Sequence, residues 1–224
     1  MEHESSGGAG YGAVIRRRAR DWDRRVAPLH VFGGRPLLGA ELPLSRVAGR
    51  PFHLTLDIDL SDARLAALGL ASLRRLAILG SFHVHPTSDA PLLVRHHDEG
   101  RRLELLAEPD GSLVPGIPDE LPQLPVELET VSDAEAACET VDELPDDHAP
   151  VHRVGGRAIW TTRPLEPPRC PLTGLAMRFI AQVDSERRFP LRGSETQLLF
   201  GDSGILYVFW SDGPAVSAAI VQSR

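Results

Sequence analysis

The sequence predicts a β-rich α+β fold made of two tandem pseudo-repeats packed into one compact unit. Three observations carry that expectation. Short alternating or continuous apolar runs recur along the chain, separated by turn-forming residues, as strands require. Gly 20 and Pro 19 in 224 residues imply many turns and loops. A hexapeptide also recurs: His30-Val31-Phe32-Gly33-Gly34-Arg35 returns as His152-Arg153-Val154-Gly155-Gly156-Arg157, shifted by 122. Downstream of each copy a glycine leads into a strand ending in Asp, over 49–59 and again over 174–184, shifted by 125. Two halves that each bury a sheet face against the other would form a single unit. The expected organisation is a flexible leader and basic amphipathic helix (1–27), a first half-repeat (28–107), a Pro-rich acidic connector with a short helix (108–149) and a second half-repeat (150–224).

Taken in order, the first twelve residues are polar, Gly-rich and without periodicity, hence a flexible leader. Ala13 to Val26 reads as a helix, because Ile15, Ala19, Trp22 and Val26 share one helical face and six Arg crowd the rest. Phe52 to Asp59 alternates apolar and polar residues, a half-buried strand, and Ser61 is positioned to cap a short helix from Asp62. Leu76 to Val84, Leu92 to Arg95 and Arg102 to Ala107 are further strand candidates. Five prolines between 109 and 125 mark an extended connector. Ser132 and Glu135 match a capping box, so a helix runs from Asp133 to about Val141. The last strands are Met177 to Val183, Ile205 to Trp210 and Ala215 to Val221.

Composition excludes some functions. All 24 basic residues are Arg and the net charge is −7, which argues against a general nucleic-acid binder. The absence of Lys excludes a P-loop outright. The first residues lack an apolar signal core and no apolar run is long enough to span a bilayer, so a cytoplasmic location without membrane contact is expected. Cys138 and Cys170 make no disulfide framework.

The second half carries a resemblance. Gly155, Gly156 and Trp160, then Cys170, Pro171 and Gly174, then Met177, Phe179, Gln182 and Asp184, then Gly201, Asp202, Gly204, Leu206, Tyr207 and Phe209 form a pattern that resembles the YwqG family of bacterial proteins, a domain of unknown function. The first half is similar at Gly33, Gly34, Gly49, Pro51, Phe52 and Asp59. More distantly, the pattern resembles the programmed cell death protein 2 family, eukaryotic chaperones of a ribosomal protein. Relatives of that kind can carry a zinc knuckle at Cys-Pro-x-Cys-Gly. Here Thr173 replaces the second cysteine, which removes a two-thiolate hook. The resemblance implies a duplicated, β-rich, YwqG-like fold with no established catalytic chemistry.

Several constellations bear on chemistry. Gly201-Asp202-Ser203-Gly204 has the look of a serine-protease tetrapeptide but reads as a turn opening a strand. Asp57, Asp59 and Asp184 form a candidate acid/base set, although their repeated placement favours shared turn capping. His83 and His85 would project to one face of a strand as a two-ligand clamp, with His96 as a third metal ligand. The candidate binding residues are Gly155, Gly156, Trp160, Gln182, Asp184, Gly201, Asp202 and Gly204. The leading expectation is a non-enzymatic protein-binding module, chaperone-like or of the immunity and inhibitor type, without cofactor. The nine acids between Glu127 and Asp147 would suit a basic protein partner. A metal-dependent hydrolase centred on His83 and His85 is the alternative, and a small-molecule binding protein using the groove between the halves is the other.

Overall fold

The computed structural model describes residues 10–15, 28–144, 150–191 and 194–223. Within them the chain is strand-rich. β1 (Tyr11–Ile15), β2 (His30–Phe32), β3 (His53–Asp59) and β4 (Arg75–Gly80) come first. β5 (Val84–Pro86), β6 (Leu92–His97), β7 (Arg102–Ala107), β8 (Gly111–Leu113) and β9 (Leu124–Thr130) follow. After the short helix α1 (Asp133–Ala137) come β10 (Arg153–Val154), β11 (Arg178–Asp184), β12 (Glu186–Leu191) and β13 (Ser194–Leu198). β14 (Ile205–Ser211) and β15 (Val216–Gln222) complete the order.

Eleven strands form one antiparallel sheet in the order β4-β3-β2-β9-β1-β10-β11-β14-β15-β6-β7. The pairs β12-β13 and β5-β8 are separate two-stranded ribbons. The sheet curls, so that β4 at one edge comes against β15. Twist accumulating over many strands drives such curling and lets one sheet enclose its own core.

The core follows from side-chain alternation. Leu54, Leu56 and Ile58 of β3 and Leu76 and Ile78 of β4 share one buried cluster with Ile180 of β11 and Leu206, Val208 and Trp210 of β14. The alternate residues of β14, Ile205, Tyr207 and Phe209, fall in a second cluster, with Ile159, Cys170 and Met177 of the segment between β10 and β11. β14 is therefore buried on both faces, which explains its unbroken apolar run. Each such side chain contributes about 1.5–3 kcal/mol on burial.

β3 differs from expectation. Its polar face is also buried: Thr55 and Asp57 are 0% and 1% exposed. Burial is tolerated because each polar group has a partner. The Thr55 hydroxyl donates to the Ile78 carbonyl at 2.9 Å. Arg75 donates to Asp57 at 2.7 Å, to Asp59 at 2.8 Å and to the Leu29 carbonyl at 2.6 Å. The second oxygen of Asp57 accepts the Leu37 amide at 2.6 Å.

Contacts at the same sequence offsets recur in residues 150–224. Gln182 accepts the Ile159 amide at 2.8 Å and donates to the Val151 carbonyl at 3.1 Å. His30 Nδ1 accepts the Asp59 amide at 3.2 Å, and His152 Nδ1 accepts the Asp184 amide at 3.1 Å. That bonding leaves Nε2 of each ring to face a carboxylate, Asp62 at 3.1 Å and Glu186 at 2.8 Å. Register shifts fall between Leu54 and Leu56 in β3 and between Phe179 and Ala181 in β11.

Three sequence expectations change. Tyr11–Ile15 is not leader or helix but β1, seated between β9 and β10. The remainder of that expected helix, residues 16–26, lies outside the described residues. The connector contains β8 and the central strand β9, whose Val126 and Leu128 alternate into the core. Pro125 is accommodated opposite Val31, just before the stretch of β9 that pairs with β1. Asp62 rather than Ser61 caps the 3-10 helix Ala63–Leu68, its carboxylate accepting the Arg64 amide, while Ser61 donates to Asp59. The capping box of Ser132 and Glu135 forms as expected. No helix among the described residues is long and apolar enough to cross a membrane.

Candidate functional site

The described pocket lies where β4 and the loop after it meet β14 and β15. Phe52, Ser81, Val84 and Glu108 line it, together with Leu206, Ala219 and Val221 and with Leu92, the partner of Ala219 across β6 and β15. Its volume is about 40 Å³. One water needs on the order of 10–15 Å³, so the space suits about three waters or one end of a short aliphatic ligand.

Local structure makes the space. β4 ends at Gly80, where a Cβ would stand 2.8 Å from the Phe200 ring and 3.0 Å from Thr55. The chain then turns, and the Phe82 ring packs tilted against Phe200 at 4.5 Å between ring centres. Val84 follows in the β5-β8 ribbon, held close by Gly111, where a Cβ would meet Val84 at 2.4 Å. Ala219 presents only a methyl group, in the small-residue stretch Ser217-Ala218-Ala219 of β15. Glu108 lies in the link between β7 and β8. Its carboxylate accepts the Arg46 and Val47 amides, the latter at 3.2 Å, which ties the loop before β3 to the pocket rim. The Ser81 hydroxyl is buried and has no protein hydrogen-bond partner.

A second polar cluster sits nearby in sequence. The His53 and His83 rings lie 4.3 Å apart. His53 Nε2 faces the Pro118 carbonyl at 2.9 Å and its Nδ1 accepts the Phe82 amide at 3.2 Å. His83 Nδ1 is 3.3 Å from Arg50, and Nε2 is 3.6 Å from Asp119, itself paired with Arg50. Burial lowers His53 to about 4, and burial with the Arg50 charge lowers His83. Both rings are therefore neutral at neutral pH.

The expected metal ligands do not converge. His83 is in this cluster, and His85 lies on β5 opposite Ser112. His96 is buried on β6, 2.9 Å from the Ser217 hydroxyl and edge-on to Trp210. Burial drives it down to about 3. Among the described residues no three His, Cys, Asp or Glu side chains are grouped to hold a metal ion. The expectation of a clamp fails because His83 begins a turn packed on His53, while His96 points into the core.

The eight expected binding residues occupy structural positions apart from the pocket. Gly155 and Gly156 form a turn at φ 74° and 66°. Trp160 is half-buried and stacks on Tyr207 at 4.8 Å. Gln182 and Asp184 bind backbone groups: Asp184 accepts the Val151 amide at 3.0 Å and the Ser185 amide at 2.7 Å. Gly201, Asp202 and Gly204 shape the turn between Phe200 and β14, where Gly204 donates to the Phe200 carbonyl at 2.7 Å. Asp57 and Asp59 share Arg75, whereas Asp184 faces His152 and Val151, so the three aspartates form no common set. The Cys170 thiol is lowered despite its burial, which acts the other way, by hydrogen bonds from Ser211, Thr173 and nearby amides. Sequence reasoning missed Ser81, Glu108 and Ala219; their only signal is small residues, Gly80 and Ala219, in the strands.

Compared with protein-family models, curated proteins and solved structures, the chain matches none.

Proposed function

We propose that the protein is a binding module whose ligand is a small molecule held in the cavity between residues 28–109 and residues 205–221. The cavity carries this reading: apolar walls from both parts of the chain accompany three polar residues, Ser81, Ser88 and Glu108. A mostly apolar pocket with a few placed polar groups is the usual form of a ligand site. The test is saturation-transfer NMR with n-butanol on the full chain and on Ala219→Leu, which fills the space. The reading expects saturation of the alcohol by the wild-type protein and loss of it in the variant; equal signals in both would overturn it.

We also read the fold as two YwqG-like pseudo-repeats. The matched bonds of His30 and His152, the matched partners of Asp57 and Gln182, and the two β-bulges 125 residues apart support that reading. A protein partner is the second functional reading. Leu172 and Leu175, 50% and 68% exposed at one loop, favour it. Leu172→Ser with Leu175→Ser would then abolish a stoichiometric complex purified from the native cell.

A further inference from the structure

We propose that the cavity selects a short primary amine over its neutral and anionic analogues; this rests on reading the cavity as a ligand site. Glu108 is the one ionisable side chain that lines it among the described residues. Its position is fixed, because one oxygen accepts the Arg46 and Val47 amides. An ionised carboxylate is an acceptor only, with about four lone-pair sites, so acceptor capacity remains for a ligand. An ammonium group brings three donors and the opposite charge, which makes its hydrogen bonds charge-assisted.

Ser81 lines the cavity as a residue, but its hydroxyl is buried away from a water-sized group, so the selection rests on Glu108. The apolar walls, Phe52, Leu92, Leu206 and Val221, then suit an aliphatic chain. The volume takes the ammonium head and the first carbons of such a chain, so the class is a short primary amine such as n-butylamine. A carboxylate of equal length would meet the charge of Glu108, and an alcohol offers it one donor and no opposite charge.

The experiment titrates the full chain at neutral pH with n-butylamine, n-butanol and butyrate, following protein methyl resonances. n-Butylamine is expected to bind about tenfold more tightly than n-butanol, with butyrate weakest. Glu108→Gln keeps a carbonyl oxygen for the two amides, and it should reduce the amine to the level of the alcohol. Ala219→Leu should remove binding of both. If n-butanol or butyrate binds as tightly as n-butylamine, the amine preference is wrong while the cavity reading stands. If amine binding survives in Glu108→Gln or in Ala219→Leu, the assigned site is wrong. If none of the three binds, both readings fall.

Discussion

Glycine and histidine positions give the sharpest expectations at the scale of single residues. Gly33 has φ +70°, and a Cβ there would lie 2.3 Å from the Pro122 carbonyl oxygen. Gly39 has φ +76° with nothing within 4 Å. Gly39→Ala should cost about 1 kcal/mol, the left-handed conformation alone, whereas Gly33→Ala should cost more than twice as much because backbone must move. Urea midpoints of the two variants check this, and equal losses would contradict it. The histidines predict a pH dependence. His53 and His96 titrate at about 4 and about 3 in the fold and near 6.5 when unfolded. Between those values the unfolded chain binds protons that the fold refuses, so stability is complete above pH 6.5 and falls as pH drops. Each should remove on the order of 2 kcal/mol between pH 7 and pH 5. Unfolding free energies at the two pH values check it, and His96→Gln should flatten the slope. Ser81→Ala should leave stability unchanged or raise it by up to about 1 kcal/mol, since the hydroxyl is buried without a protein partner. A loss of stability on thermal melting would show that the hydroxyl is structural. The capping roles of Asp59 and Asp184 were legible from their repeated spacing, whereas Ser81 and Glu108 lay in no motif.

At the scale of elements, strands with clean alternation were legible and those with mixed signals were not. Arg102 to Ala107 matches β7 end to end, and the runs at Phe52, Leu92 and Ile205 fall within a residue or two of β3, β6 and β14. β1 was hidden because Ile15 also belongs to a 3.6-residue pattern with Ala19, Trp22 and Val26. Tertiary pairing on both sides, with β9 and β10, decides the strand. β9 was hidden by Pro125 and by acids at alternate positions, a pattern shared by an extended connector and a strand with one polar face. The buried polar face of β3 was not legible at all, because its partners, Arg75 and the Leu37 amide, are distant in sequence. Those partners make Asp57 an anchor for β3, β4 and the loop between β2 and β3. Asp57→Ala leaves a buried guanidinium with only part of its bonding, and it should cost about 3 kcal/mol. Urea unfolding checks this; a loss under about 1 kcal/mol would show that Asp59 alone holds Arg75.

For the whole molecule, the curl of the eleven-stranded sheet brings β4 against β15 and so creates the cavity. The paired hexapeptides and glycine-led strands pointed to two halves meeting. They did not reveal where a cavity would form, because that depends on how far the sheet curls before its edges approach. The resulting site mixes residues far apart in the chain, such as Phe52 with Val221, which no local pattern joins. The most direct measurement is a methyl-resolved NMR titration of the full chain with n-butanol. Saturable shifts are expected, confined to the methyls of Val84, Leu92, Leu206, Ala219 and Val221 and lost in Ala219→Leu. Shifts that are absent, or that scatter over the surface without saturating, would contradict it.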